Sequence, residues 1–94
     1  MNINFTLVSG DVIVAEKRKS KRGFTYVLEI HKTHEEHEII EYLFIEQTDA
    51  LKIARTYATK ATLVYEGKYA RTEEIPVKEA LDMVYNRLMP YPRS

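Results

Sequence analysis

Two stretches of this sequence concentrate the residue types that bind or transform ligands. The first is Lys17-Arg18-Lys19-Ser20-Lys21-Arg22, five cations in six positions. Flexible cations on a protruding turn follow phosphates, each neutralised phosphate adding a counterion-release contribution that weakens with salt. They serve equally well against an acidic protein surface, where they act mainly on the association rate. The second stretch holds His31, His34 and His37, with Glu35, Glu36 and Glu38 among them. Imidazoles and carboxylates ligate zinc and other transition metals. An i, i+3, i+6 spacing, however, corresponds to no motif with a defined metal mechanism. No metal or cofactor is therefore expected, and the three histidines stand as candidates only. Two of them, His31 and His37, would face each other across a hairpin, which disfavours double protonation.

For catalysis the chain offers little. Without any Cys there is no thiolate nucleophile and no thiolate metal site. Neither a serine in an elbow context nor a phosphate-cradling glycine loop is present. Glu29 and Glu41 fall near His31 on adjacent expected strands, and a carboxylate beside an imidazole can do acid-base work. On a solvent-facing sheet surface such a trio is ordinarily polar decoration, so an enzyme is not the expectation.

The elements that would position these groups follow from the apolar pattern. Phe24, Tyr26, Leu28 and Ile30 alternate with Thr25, Val27, Glu29 and His31, the period of a half-buried strand. A second apolar run covers Ile39 to Ile45. If the chain reverses over residues 32–36, the cross-strand pairs become Leu28/Ile40, Tyr26/Tyr42 and Phe24/Phe44, all on one face. A one-residue slip would turn that apolar set outward. Upstream, Ile3, Phe5 and Leu7 alternate with Asn4 and Thr6, and Ser9-Gly10 fits a two-residue turn. That turn sets Leu7 opposite Val12 and Phe5 opposite Val14. The basic segment then forms the next turn, with Lys17 facing Gly23 and Val14 beside Tyr26. The result is a four-stranded antiparallel meander. Its opposite face would carry a second apolar patch, Ile13, Val27, Ile39, Leu43 and Ile45. Contiguous apolar patches on soluble monomers are generally small, so this one is expected to meet a partner or a second copy in a C2 homodimer.

Thr48-Asp49 reads as a helix start, with Leu51, Ala54, Tyr57 and Ala58 at helical spacing. Ala61 to Tyr65 is a strand by composition, and Glu66-Gly67 offers a reversal into an edge strand over Lys68 to Thr72. Pro76 is suited to open a final helix that buries Val77, Ala80, Leu81, Val84 and Leu88 and ends near Met89, before Pro90 and Pro92. The expected order is ββββαββα, a single α+β domain over residues 1–94. From Val12 to about Thr59, the strands, the basic hairpin and the helix opening Thr48-Asp49-Ala50 resemble the outline of integrase arm-binding domains. The resemblance is one of outline and transfers no residue. It implies nucleic acid as a partner of the basic hairpin.

With 45% apolar and 30% charged residues, the composition is that of an ordinary folded protein. No apolar run approaches the roughly 18 residues of a membrane span, and the chain is read as soluble and cytoplasmic. The formal net charge is zero, but the basic segment holds five of the fourteen Lys and Arg, against fourteen Asp and Glu elsewhere. The molecule is thus a basic tip on an acidic body. These features predict a small non-catalytic binding or regulatory protein acting through protein contacts, such as an accessory or inhibitor protein of a phage, virus or other mobile element. Binding of nucleic acid by Lys17, Arg18, Lys19, Lys21 and Arg22 is the alternative, and a metal protein or enzyme using His31, His34 and His37 a third.

Overall fold

The apolar alternation of the chain becomes one antiparallel sheet covered on one side by two helices. The computed structural model describes residues 1–21, 23–33, 39–44 and 47–87. Its elements are β1 (Asn2–Leu7), β2 (Val12–Ser20), β3 (Gly23–Thr33), β4 (Ile39–Phe44), α1 (Gln47–Tyr57), β5 (Ala58–Tyr65), β6 (Arg71–Ile75) and α2 (Val77–Tyr85). This is the α+β order ββββαββα that the sequence predicts. The later hairpin does not stand apart, because β5 pairs with β1 and extends the sheet to six strands in the order β4-β3-β2-β1-β5-β6. α1 carries the chain from the β4 edge across the sheet to β5. Among the described residues no helix is long and apolar enough to cross a membrane.

Both helices pack on the same face. Ile3, Phe5, Ile13, Ala15, Tyr26, Leu28, Ile30, Ala61 and Leu63 from the sheet join Ala50, Leu51, Ala54, Ala80 and Val84 from the helices in a single core. α1 contributes Ala50, Leu51 and Ala54, while α2 inserts Ala80 and Val84 and flanks them with Val77 and Leu81.

Three registers differ from those expected, and each has an identifiable cause. At the first hairpin the Leu7 N–H donates to the Asp11 carbonyl at 2.9 Å, the Gly10 N–H donates to the Leu7 carbonyl at 2.9 Å, and Gly10 has φ 92°. Val8-Ser9-Gly10 is therefore a three-residue loop whose last position needs glycine's left-handed freedom. The additional loop residue moves β2 by one. Phe5 faces Ile13 and Ile3 faces Ala15, so Ile13, 0% exposed, enters the core, and Val12 and Val14 take the open face. At the second hairpin the ladder continues to Ser20↔Gly23, with Lys17↔Tyr26 and Lys19↔Phe24. The basic segment is thus mostly strand, with the reversal postponed to Gly23 at φ 117°. At the third, Ile30 pairs with Leu43 and Glu29 with Phe44. The β3–β4 ladder shifts between Lys32 and Thr33, and Leu43 takes the ladder position beside Ile30, which itself pairs with Ile13. The expected pairs Phe24/Phe44, Tyr26/Tyr42 and Leu28/Ile40 do not form.

The β5–β6 reversal is also longer than expected. Tyr65 pairs with Arg71, Gly67 has φ 94°, and the edge strand is Arg71–Ile75 rather than 68–72. Its side chains Arg71, Thr72, Glu73 and Glu74 are exposed, and charges of this kind protect an open sheet edge. Pro76 caps α2 from outside rather than opening it. Leu88 lies outside the described residues.

The first register makes a direct prediction. Ile13→Ala should cost about 2–5 kcal/mol through transfer and cavity terms, whereas Val14→Ala on the open face should cost under about 1 kcal/mol. Urea unfolding of the two variants checks the order, which the two-residue turn would reverse.

Candidate functional site

The described chain presents three chemically distinctive places: a basic ribbon, a groove between the helices, and a Glu–His pair on the open sheet face. The ribbon arises from where neighbouring ladders stop. β1 reaches only Asn2↔Glu16 and β4 only Glu29↔Phe44, so Lys17↔Tyr26 through Ser20↔Gly23 continue as a two-stranded projection. Strand alternation puts Lys17 and Lys19 on the helix side with Ile13 and Ala15, and Glu16 and Arg18 on the other. There Arg18 Nη2 lies 3.0 Å from Glu16 Oε2, with the two side chains 54% and 44% exposed. So exposed a pair contributes little to stability.

On the helix side the cations gather round an aromatic ring. Lys17 Nζ lies 4.0 Å from the Phe24 ring centroid and the Arg87 guanidinium 4.8 Å from the same centroid. Phe24 in turn meets Tyr26 edge to face, with centroids 5.9 Å apart and planes at 88°. Each exposed cation–π contact contributes about 0.5–1 kcal/mol. Two like charges are thereby held within roughly a Debye length, about 8–10 Å at 0.10–0.15 M salt, and a bound anion nearby offsets their repulsion. Arg87 reaches this place because the Tyr26 N–H donates to the Arg87 carbonyl at 2.8 Å and the Thr25 hydroxyl donates to the same oxygen. The turn after α2 therefore occupies part of the β3 edge that β4 leaves uncovered. Burial pushes the Tyr26 hydroxyl above its ordinary value of 10.0, Arg87 offsets part of that rise and Tyr65 adds to it.

Of the five basic residues singled out in the sequence, the structure brings Lys17 and Lys19 to one face, turns Arg18 to the other and leaves Lys21 exposed at the tip. Arg22 lies outside the described residues. Arg87 was not visible to sequence reasoning as part of this group. Its only local signal is a cation at the end of a helix, where the helix dipole favours one in any case.

The second place is an open groove of about 650 Å³ between α1 and α2. Its apolar lining comes from Leu51 on α1 and Val77 and Leu81 on α2, with Tyr85 at one end, 69% exposed. Lys52 and Arg55 stand on the α1 side, Lys78 and Asp82 on the α2 side. Sequence reasoning assigned Val77 and Leu81 to the core and attached no site to them. No local signal in the sequence marks the groove, which is made by two helices distant in sequence.

On the open face His31 Nε2 lies 2.5 Å from Glu29 Oε1, the i, i+2 neighbours of a strand. Glu41, expected beside them, pairs instead with Lys32 and so sits one position out of the His31 row. His34 and His37 lie outside the described residues. Among the described residues no three His, Asp or Glu are placed to hold a metal.

The apolar patch expected to form a dimer is divided by the registers. Ile13 is in the core and Leu43 stands in its row beside Ile30, whereas Val27 pairs with Glu16 on the open face, where it is half-buried. Ile39 pairs with Thr33, and Ile45 lies outside the described residues. Ile13 moves because of the additional residue in the first hairpin loop, and Leu43 because of the separate β3–β4 register.

Searches of protein-family models, curated proteins and solved structures find no match to this chain.

Burial of the Tyr26 phenol links stability to alkaline pH. A raised folded-state value favours the neutral phenol in the fold, so this contribution is whole below about pH 10 and is lost as pH rises through the higher folded value. Chemical denaturation from pH 9 to 11 should show a steeper loss of stability for the native chain than for Tyr26→Phe. Parallel losses would mean that the hydroxyl is not desolvated.

Proposed function

We propose that this chain is a non-catalytic binding protein that acts by occupying a protein partner, and that the groove between α1 and α2 is its contact surface. The observation that carries the reading is an open groove between two helix walls whose floor is half-buried Val77 and Leu81 beside buried Leu51. A groove of this form suits an amphipathic segment whose apolar side fills it. Three cations against the single acid Asp82 favour an acidic segment, drawn in by charge and retained by apolar burial. The accessory or inhibitory role expected from the sequence is one that occupation of a partner's segment would serve.

The test is capture of partners from nuclease-treated lysate by the tagged native chain and by two variants, followed by affinity measurement with the purified partner. Leu81→Gln should reduce affinity about tenfold or more by removing part of the apolar floor. The double variant Lys52→Glu/Arg55→Glu, both positions exposed, should keep the melting temperature and slow association several-fold at low salt. Capture of the same proteins at the same affinity by native and both variant chains would show that the groove is not the contact surface.

A further inference from the structure

We infer that the β2–β3 ribbon is a second binding surface, a site for the phosphate backbone of a nucleic-acid duplex. It is independent of the groove and rests on a different observation, the arrangement of cations round Phe24. Lys17 and Arg87 lie over the ring at 4.0 and 4.8 Å, Lys19 pairs with Phe24 in the ladder, and Lys21 is exposed at the tip. Among the described residues the nearest acid along this ribbon is Glu16, and it lies on the other side, engaged with Arg18. The ring thus holds two cations near one another, whose mutual repulsion a nearby anion would offset.

Three features select a duplex among polyanions. A two-stranded β-ribbon is of a size that the major groove admits. Lys17 and Lys19 are two residues apart on one strand, about 6.6 Å, and a duplex offers a phosphate charge about every 1.7 Å of its axis, so several phosphates fall within reach of the four cations. Phe24 already carries two cations over its ring, which competes with the base stacking on which single-strand binders depend. The excess of acid in the remainder of the chain turns the ribbon toward a polyanion and the body away from it.

Fluorescence anisotropy of the whole chain with a labelled 20-base-pair DNA duplex, the matching single strand and poly-glutamate, at 50 and 200 mM salt, tests this. Four neutralised phosphates give a slope of log affinity against log salt near −3.6, about a 150-fold weakening between the two salts. The triple variant Lys17→Ser/Lys19→Ser/Lys21→Ser should lower the slope toward about −0.9, the share of Arg87, the one of these four cations that it keeps. Phe24→Leu should retain most of the slope while weakening affinity several-fold, because the charges remain but lose their common seat. Lys52→Glu/Arg55→Glu at the groove should keep the ribbon-dependent slope, which separates this site from the other. No binding to duplex at 50 mM salt would overturn the inference. So would tighter binding to the single strand, or equally tight and salt-dependent binding to poly-glutamate, which would point to an acidic protein.

Discussion

The whole sheet depends on parity at its first hairpin. In a strand every second side chain faces the core, so one residue added to a loop exchanges the two faces of the strand that follows. The left-handed backbone at Gly10 adds that residue, and Ile13 and Ala15 become the inward pair in place of Val12 and Val14. From there each neighbour is constrained in turn. Ile30 stands beside Ile13, Leu43 beside Ile30, and on the other flank Phe5 beside Ala61. Ile30, Ile13, Phe5 and Ala61 then form an apolar row across the sheet beneath the helices. Both candidate surfaces build on it, since the same register carries Lys17 and Lys19 beyond the β1 ladder and sets the platform on which α1 and α2 pack together.

The second constraint is the capture of two donors by one carbonyl. The Tyr26 N–H and the Thr25 hydroxyl both find the Arg87 oxygen, at a place where β4 provides no partner. A buried amide left unpaired would cost about 1–3 kcal/mol, and Thr25 is only 6% exposed, so the contact satisfies groups that water reaches poorly. It also fixes a cation from the far end of the described chain beside cations from its first quarter. Fold closure and charge clustering are one event here.

What the sequence made legible was the kind and order of elements. Alternation in Ile3-Asn4-Phe5-Thr6-Leu7, helical spacing through Leu51 and Ala54, and Pro76 ahead of an amphipathic run each survive in the structure. Pairing was less legible, for a physical reason. Val12-Ile13-Val14 is apolar on both parities, so pattern alone does not choose its inward side, and the choice fell to a loop that a two-residue and a three-residue turn ending in glycine both fit. The Lys-rich segment reads as a turn by composition, yet strand pairing with Phe24 and Tyr26 absorbs it. The groove and Arg87 were not legible, because both are made by contacts between elements distant in sequence.

The strand order also has a kinetic side. β1 lies between β2, which follows it at once, and β5, whose Ala61 meets Phe5 only after the meander, the crossing helix and their loops have been passed. During synthesis the first four strands can pair locally, but β1 keeps an open edge and the Ile3, Phe5 and Ile13 face stays uncovered until α1 and β5 leave the ribosome. Long-range pairing of this sort slows folding and leaves edges available to other chains meanwhile. The second half of the chain thus acts as a belated lid for the first, and the nascent protein passes through a stage in which an apolar surface destined for the core is still uncovered.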